Sequence, residues 1–191
     1  MTTLHALTKR FFKSNGLLQS LLLVFAVVSI TSCAADENDD PFYFDVEAQK
    51  AKDEETIRKY FRDNNIDTTA VVRSPESGLY YLDVVVGEGE QVELNDTVTV
   101  QYIGKLVNNF IFDSTYDRGR PATFVVRKSA VVNGVAQQGV IDGWVEGLQK
   151  MRVGGEAKLF IPSHLAYGPY GSGSVPGNAV LIFNVEILSK K

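Results

Sequence analysis

The sequence predicts an α+β fold: an antiparallel sheet with one short helix laid across its concave face, and a helical extension on its amino-terminal side. Three observations carry this. Apolar residues alternate with period two in several short segments separated by glycine- and asparagine-containing turns. A single short helical pattern stands late among them, with Trp144 and Leu148 four apart on one face. A longer, heavily charged helical pattern precedes them all, from about Asp45 to Asp63.

The first 32 residues are predicted to lie outside the fold. Lys9, Arg10 and Lys13 precede the apolar run "GLLQSLLLVFAVVSI", an n-region followed by an h-region. That run is short of the about 20 apolar residues a stable span needs. Directly after it, Ile30-Thr31-Ser32-Cys33 resembles a bacterial lipobox, and Cys33 is the only cysteine of the chain. Lipid on Cys33 would tether the protein to a membrane of the cell envelope, the outer membrane being expected, facing either the periplasm or the surface. The plainer alternative is a secretory signal with a coincidental cysteine. With one cysteine no intrachain disulfide can form.

Residues 33–44 are expected to be an acidic tether: "AADENDDP" has no large apolar side chain and ends in proline. Its acidic residues also resemble a surface-export signal of some lipoproteins. Without Lys9, Arg10 and Lys13, the remaining 16 basic residues face 23 acidic ones, a net charge of −7. Such a body repels phosphate backbones and shows no basic patch, which argues against a nucleic-acid partner.

Residues 45–77 read as the helical extension. Val46, Ala48, Ala51, Ile57, Tyr60 and Phe61 form a thin apolar stripe, so the helix is expected to pack only at its carboxy-terminal end, and "DNN" stops it. A spacer and a partner-binding helix are both consistent with this. Residues 78–191 form the main domain. "GLYYLDVVVGEGE" is a strand ending at Gly87. In "TVTVQYIGKLV", Val98, Val100 and Tyr102 face one way and Thr97, Thr99 and Gln101 the other. Asn108-Asn109 turns it into "FIFDS", and "ATFVV" is a further short strand. Asn133-Gly134 suggests a small hairpin. Asp142 is expected to cap the short helix in "GWVEGLQKM", with Gly154-Gly155 ending it. "AKLFIP" and "AVLIFNVEIL" close the sheet, the latter with Leu181, Phe183, Val185 and Ile187 on one face.

Catalytic equipment is sparse. His164 is the one histidine outside the leader, so a His/Cys metal cage is not expected, and a Ser-His-Asp triad has little support. The loop "HLAYGPYGSGSVPG" matches neither phosphate-binding glycine pattern and precedes a strand, which leaves a surface loop or a flap over a site. Aromatic residues accumulate at strand and helix ends: Tyr102, Phe112, Phe124, Trp144, Tyr167 and Phe183. Asp113 follows Phe112, and Arg118 lies within reach of it through the turn "STYD". Aromatic walls with a few fixed polar groups suit a small-ligand or peptide site, although core packing explains each aromatic singly.

The ordered motifs "FDS", "VIDGWVEG", "VGGEAKLFIP", "LAYG" and "VPGNAVLIF", spread from Gly78 to Leu188, resemble the FKBP-type peptidyl-prolyl cis-trans isomerases. The resemblance implies a half-barrel of antiparallel strands around one short helix. It also implies cis-trans rotation of X-Pro bonds in proline-containing polypeptide clients, here exported proteins, with no metal and no cofactor. Tyr102, Phe112, Val140, Ile141, Trp144, Tyr167 and Phe183 would surround the prolyl pocket, with Phe124 beside them. Trp144 would be its floor, Asp113 a polar rim residue oriented by Arg118, and Val175 an apolar contact from a flap. The Tyr167 hydroxyl would donate to a substrate carbonyl. Three departures stand out: Ala122 where the family often has an aromatic wall, a longer 127–139 segment, and Ser174-Val175 before Pro176. They leave open a peptide-holding or chaperone module with little turnover. The oligomeric state is open, a monomer being the simpler expectation.

Overall fold

The computed structural model describes residues 45–191; the predicted leader, Cys33 and the acidic tether lie outside the described residues. Helix α1 (Val46–Asp63) starts on Asp45, whose side chain accepts a hydrogen bond from the Ala48 backbone N–H. Nine strands follow: β1 (Val72–Arg73), β2 (Tyr80–Val85), β3 (Thr97–Leu106), β4 (Ile111–Ser114), β5 (Ala122–Val125), β6 (Ala130–Val132), β7 (Val135–Gln137), β8 (Glu156–Ile161) and β9 (Leu181–Lys190). A second helix, α2 (Asp142–Leu148), lies between β7 and β8.

The main sheet runs β1-β2-β8-β9-β3-β4, with β5 also paired to β3. All its ladders are antiparallel. One edge of β3 serves two partners in succession, β5 along Thr97–Val100 and β4 along Ile103–Lys105. β6 and β7 form a separate hairpin whose turn residues Asn133 and Gly134 both have positive φ, as a two-residue primed turn requires.

Alternation along β2, β8 and β9 buries both faces of the sheet. Tyr81, Leu159, Ile161, Leu181 and Phe183 point into the main core with Trp144 and Leu148 of α2. Tyr80, Phe160 and Ile182 point the other way, onto Ile57, Tyr60 and Phe61 of α1. Each such side chain contributes about 1.5–3 kcal/mol on burial. α1 therefore docks through its carboxy-terminal half, and Val46, Ala48 and Ala51 stay exposed.

Several details differ from the sequence reading. Asp53, within a charged run, is 1% exposed, and its carboxylate accepts from Ser163 N–H at 2.8 Å and Ser163 Oγ at 2.7 Å. β1, inside the extension, pairs with β2, so the boundary at 77/78 falls between two bonded strands. Asp142 does not cap α2: the cap is Ile141, without a side-chain bond, and the Asp142 carboxylate instead accepts from Lys128. α2 ends at Leu148, not at Gly154-Gly155, because Met151 turns into the core and Gln91 pairs with Arg152. Gly154, at φ +81°, makes the later turn into β8.

α2 lies unusually close to β8. A Cβ on Gly143 would stand 2.4 Å from Ile161 Cγ2, and one on Gly147 2.7 Å from Leu159 Cδ1. These two glycines, four apart, let the helix backbone settle onto the sheet and carry Trp144 into the core.

Candidate active site

Five elements converge on one cavity of about 600 Å³. β3 supplies Tyr102, β4 supplies Phe112 and Asp113, and β5 supplies Phe124. α2 and the residues before it supply Trp144, Val140 and Ile141, and β9 supplies Phe183. Trp144 is 4% exposed and sits among three rings that stand edge-on to it. Their centroids lie 5.1 Å (Tyr102), 5.4 Å (Phe124) and 5.2 Å (Phe183) away, at 86°, 82° and 81°. Phe112 stands edge-on to Phe183 at 5.5 Å. Edge-to-face pairs of this kind set ring positions beyond what area burial alone does. Gly104 makes room for two of them: a Cβ there would come within 2.7 Å of both Phe112 and Phe183.

The polar rim is a closed network. Tyr102 donates its hydroxyl proton to Asp113 Oδ2 at 2.5 Å, and Arg118 Nη2 donates to the same hydroxyl at 2.9 Å. Arg118 also forms an ion pair with Asp113 and lies over the Tyr102 ring, 5.3 Å from its centroid. Burial, then the Asp113 hydrogen bond, pushes the Tyr102 hydroxyl up to about 12, with Arg118 opposing. Tyr102 is therefore a fixed wall whose proton is committed to Asp113. Tyr167 differs: it lines the cavity, is 37% exposed, and is held protonated by burial and then by the Asp113 charge. Its proton is available to an incoming acceptor.

Two further polar atoms of the lining are buried without a partner among the described residues, Trp144 Nε1 and His164 Nδ1. His164 Nε2 faces the Ser77 carbonyl at 3.0 Å and so carries the proton, leaving Nδ1 as an acceptor. Lys128, Ser129, Asp142, His164 and Ala166 line the cavity without having been predicted. The "HLAYG" run holds the signal for two of them, since Tyr167 can reach the site only if its stem does.

Val175 is placed elsewhere. It is 6% exposed within the main core and is not part of the cavity wall. The loop beyond Tyr167 folds on itself: Ser172 and Val175 exchange backbone bonds at 2.9 Å, and Asn178 N–H reaches the Gly168 carbonyl at 2.8 Å. Gly177 permits this, because a Cβ there would lie 2.1 Å from the Pro169 carbonyl oxygen. Only its stem, His164 to Tyr167, forms pocket wall. Ala122, half-buried, packs against the core, and the 127–139 segment brings Lys128 and Ser129 to the rim.

Residues 88–188 match the family model of the FKBP-type peptidyl-prolyl cis-trans isomerases. The chain belongs to this family. An FKBP-type isomerase, FkpA, of Aeromonas hydrophila is 47% identical over 118 residues, 62% of this chain and 40% of that protein. The peptidyl-prolyl cis-trans isomerase Mip of Coxiella burnetii is 40% identical over 121 residues, 63% of this chain and 48% of its own. The crystal structure of FkpA from Escherichia coli superposes with a TM-score of 0.60 at 34% identity, over 92% of this chain and 71% of that one. The chain spans about half the length of the curated relatives it matches. The sheet around α2 is the FKBP-like α+β arrangement.

Proposed function

We propose that this FKBP-family chain catalyses cis-trans rotation about X-Pro bonds of exported polypeptides, with the prolyl ring seated against Trp144. The observation that carries the reading is the Trp144 floor with its three edge-on aromatic neighbours in a cavity bounded by one committed and one free tyrosine hydroxyl. Rotation breaks amide resonance and crosses a barrier of about 18–20 kcal/mol, which takes about 10–100 s unaided. The twisted amide is less polar than the planar one, so an apolar, water-poor wall favours it over the ground state. Turnover of about a hundred per second asks for about four decades, or about 5–6 kcal/mol. Shape and desolvation can supply this without a covalent intermediate. Tyr167 would hold the substrate carbonyl, while Asp113 and Arg118 fix Tyr102.

One feature favours an additional peptide-holding or chaperone role. The hairpin next to Lys128 and Ser129 presents Val131, Val132 and Val135 at 72%, 45% and 64% exposure. These side chains would grip an apolar client segment beside the prolyl site. The lipobox-like Ile30-Thr31-Ser32-Cys33 supports attachment to an envelope membrane through lipid on Cys33. Cys33→Ser is expected to release the protein from membranes, and retention of the variant would count against that anchor.

A protease-coupled assay on a prolyl tetrapeptide tests the catalytic reading. Rates well above the uncatalysed control are expected, and rates equal to it from folded protein would leave only the holding role.

A further inference from the structure

A second cavity, also about 600 Å³, opens on the α1 side of the sheet. Phe61, Ile66, Val71 and Tyr80 line it, together with three arginines, Arg58, Arg62 and Arg73. The apolar part is held firmly: Phe61 stands edge-on to Tyr80 at 5.4 Å and to Phe160 at 4.7 Å. Arg73 lies over the Tyr80 ring, 5.7 Å from its centroid.

Charge and hydrogen bonding there are incomplete. Glu54 takes Arg58 Nη2 at 2.7 Å on one oxygen and Arg73 Nη2 at 3.0 Å on the other. Arg62 pairs with no carboxylate among the described residues, so two guanidiniums share Glu54 and the third has no carboxylate partner. Tyr80 is only 6% exposed, and its hydroxyl is buried beside the Arg58 guanidinium without a well-formed hydrogen bond. Guanidinium forks fit carboxylates in bidentate fashion, and a buried hydroxyl without a partner is unfavourable until something binds it.

We propose that this cavity is a second binding site, for the carboxy-terminus of a peptide whose last side chain is apolar. A terminal residue carries its carboxylate and its side chain on the same Cα. It can meet the arginines and the Phe61–Tyr80 floor together, whereas an aspartate or glutamate side chain brings no apolar group of its own. The site involves no prolyl chemistry and stands whether or not the chain turns over X-Pro bonds.

The test is calorimetric titration of the full chain with a proline-free hexapeptide, acetyl-Ala-Gly-Ser-Ala-Ala-Phe, as free acid and as amide. The acid is expected to bind at least about tenfold more tightly than the amide. Arg62→Ala, an exposed position whose melting temperature should match the parent, is expected to weaken the acid form several-fold, as is Tyr80→Phe. Glu54→Gln, which frees Arg58 and Arg73 from their internal carboxylate, is expected to tighten it; a purely structural role for Glu54 predicts no gain. No binding of the acid at millimolar concentration, equal binding of acid and amide, or unchanged affinity in Arg62→Ala overturns the proposal. So does unchanged or weaker binding by folded Glu54→Gln.

Discussion

The two faces of β2, β8 and β9 bury different chemistry with adjacent residues. Toward α2, Leu159 and Phe183 meet Trp144 in a cluster whose rim carries Tyr102, Asp113 and Arg118 tied to one another. Toward α1, Phe160 and Tyr80 meet Phe61, and Asp53 reaches across to Ser163. The two helices are also held by different means. α2 presses its glycines against β8, so backbone proximity positions it. α1 stands off on large side chains, with one buried carboxylate fixing its register. The first arrangement is rigid and sterically exacting, as a pocket floor must be. The second stabilises the sheet from behind while leaving the pocket's own contacts alone.

The largest test of this division is a pair of variants. Ile57→Ala on α1 should cost about 2–5 kcal/mol of stability yet leave kcat/KM for a prolyl peptide unchanged below the melting transition. Trp144→Leu should lower kcat/KM at least about tenfold, and equal kinetic loss in both would erase the distinction. Next in size, Gly143→Ala forces a Cβ toward Ile161 and should cost about 1–3 kcal/mol, read by denaturant unfolding, with a fall in turnover as α2 shifts. A comparable alanine at the exposed Lys52 should cost almost nothing.

A smaller effect concerns the rim. Burial and then the Asp113 bond push the Tyr102 hydroxyl up to about 12 in the folded protein, against about 10 for a free tyrosine. The folded state therefore holds this proton more tightly, and the stability so gained is fully present below about pH 10 and lost as pH rises through about 12. Alkaline unfolding of Tyr102→Phe should lack that part of the slope. An identical slope in the variant would mean that neither burial nor the Asp113 bond raises the Tyr102 hydroxyl in solution.

Much of the α2 face was legible in sequence. Strict alternation placed β3 and β9, and spaced motifs brought Tyr102, Phe112, Asp113, Trp144, Tyr167 and Phe183 together. The α1 face was not. Asp53 sits in a charged run that looks solvated, and its burial depends on Ser163, 110 residues away. Arg58 and Arg62 read equally well as a wet helix surface, and β1, two residues long, is too short for any period to show. Gly143 and Gly147 stand four apart on the α2 face that meets β8, a spacing that the helix's apolar pattern alone does not reveal. At Val175 the glycine-rich loop reads as a moving flap, whereas its glycines allow the backbone to pack on itself and bury that side chain.

The central claim is that X-Pro rotation belongs to the Trp144 cluster. Exchange spectroscopy on an Ala-Pro peptide, with substoichiometric protein, measures that rotation directly. Parent protein should bring cis-trans exchange onto the subsecond scale while Trp144→Leu, folded, leaves it near the uncatalysed tens of seconds. Undiminished exchange in the folded variant would place the chemistry elsewhere.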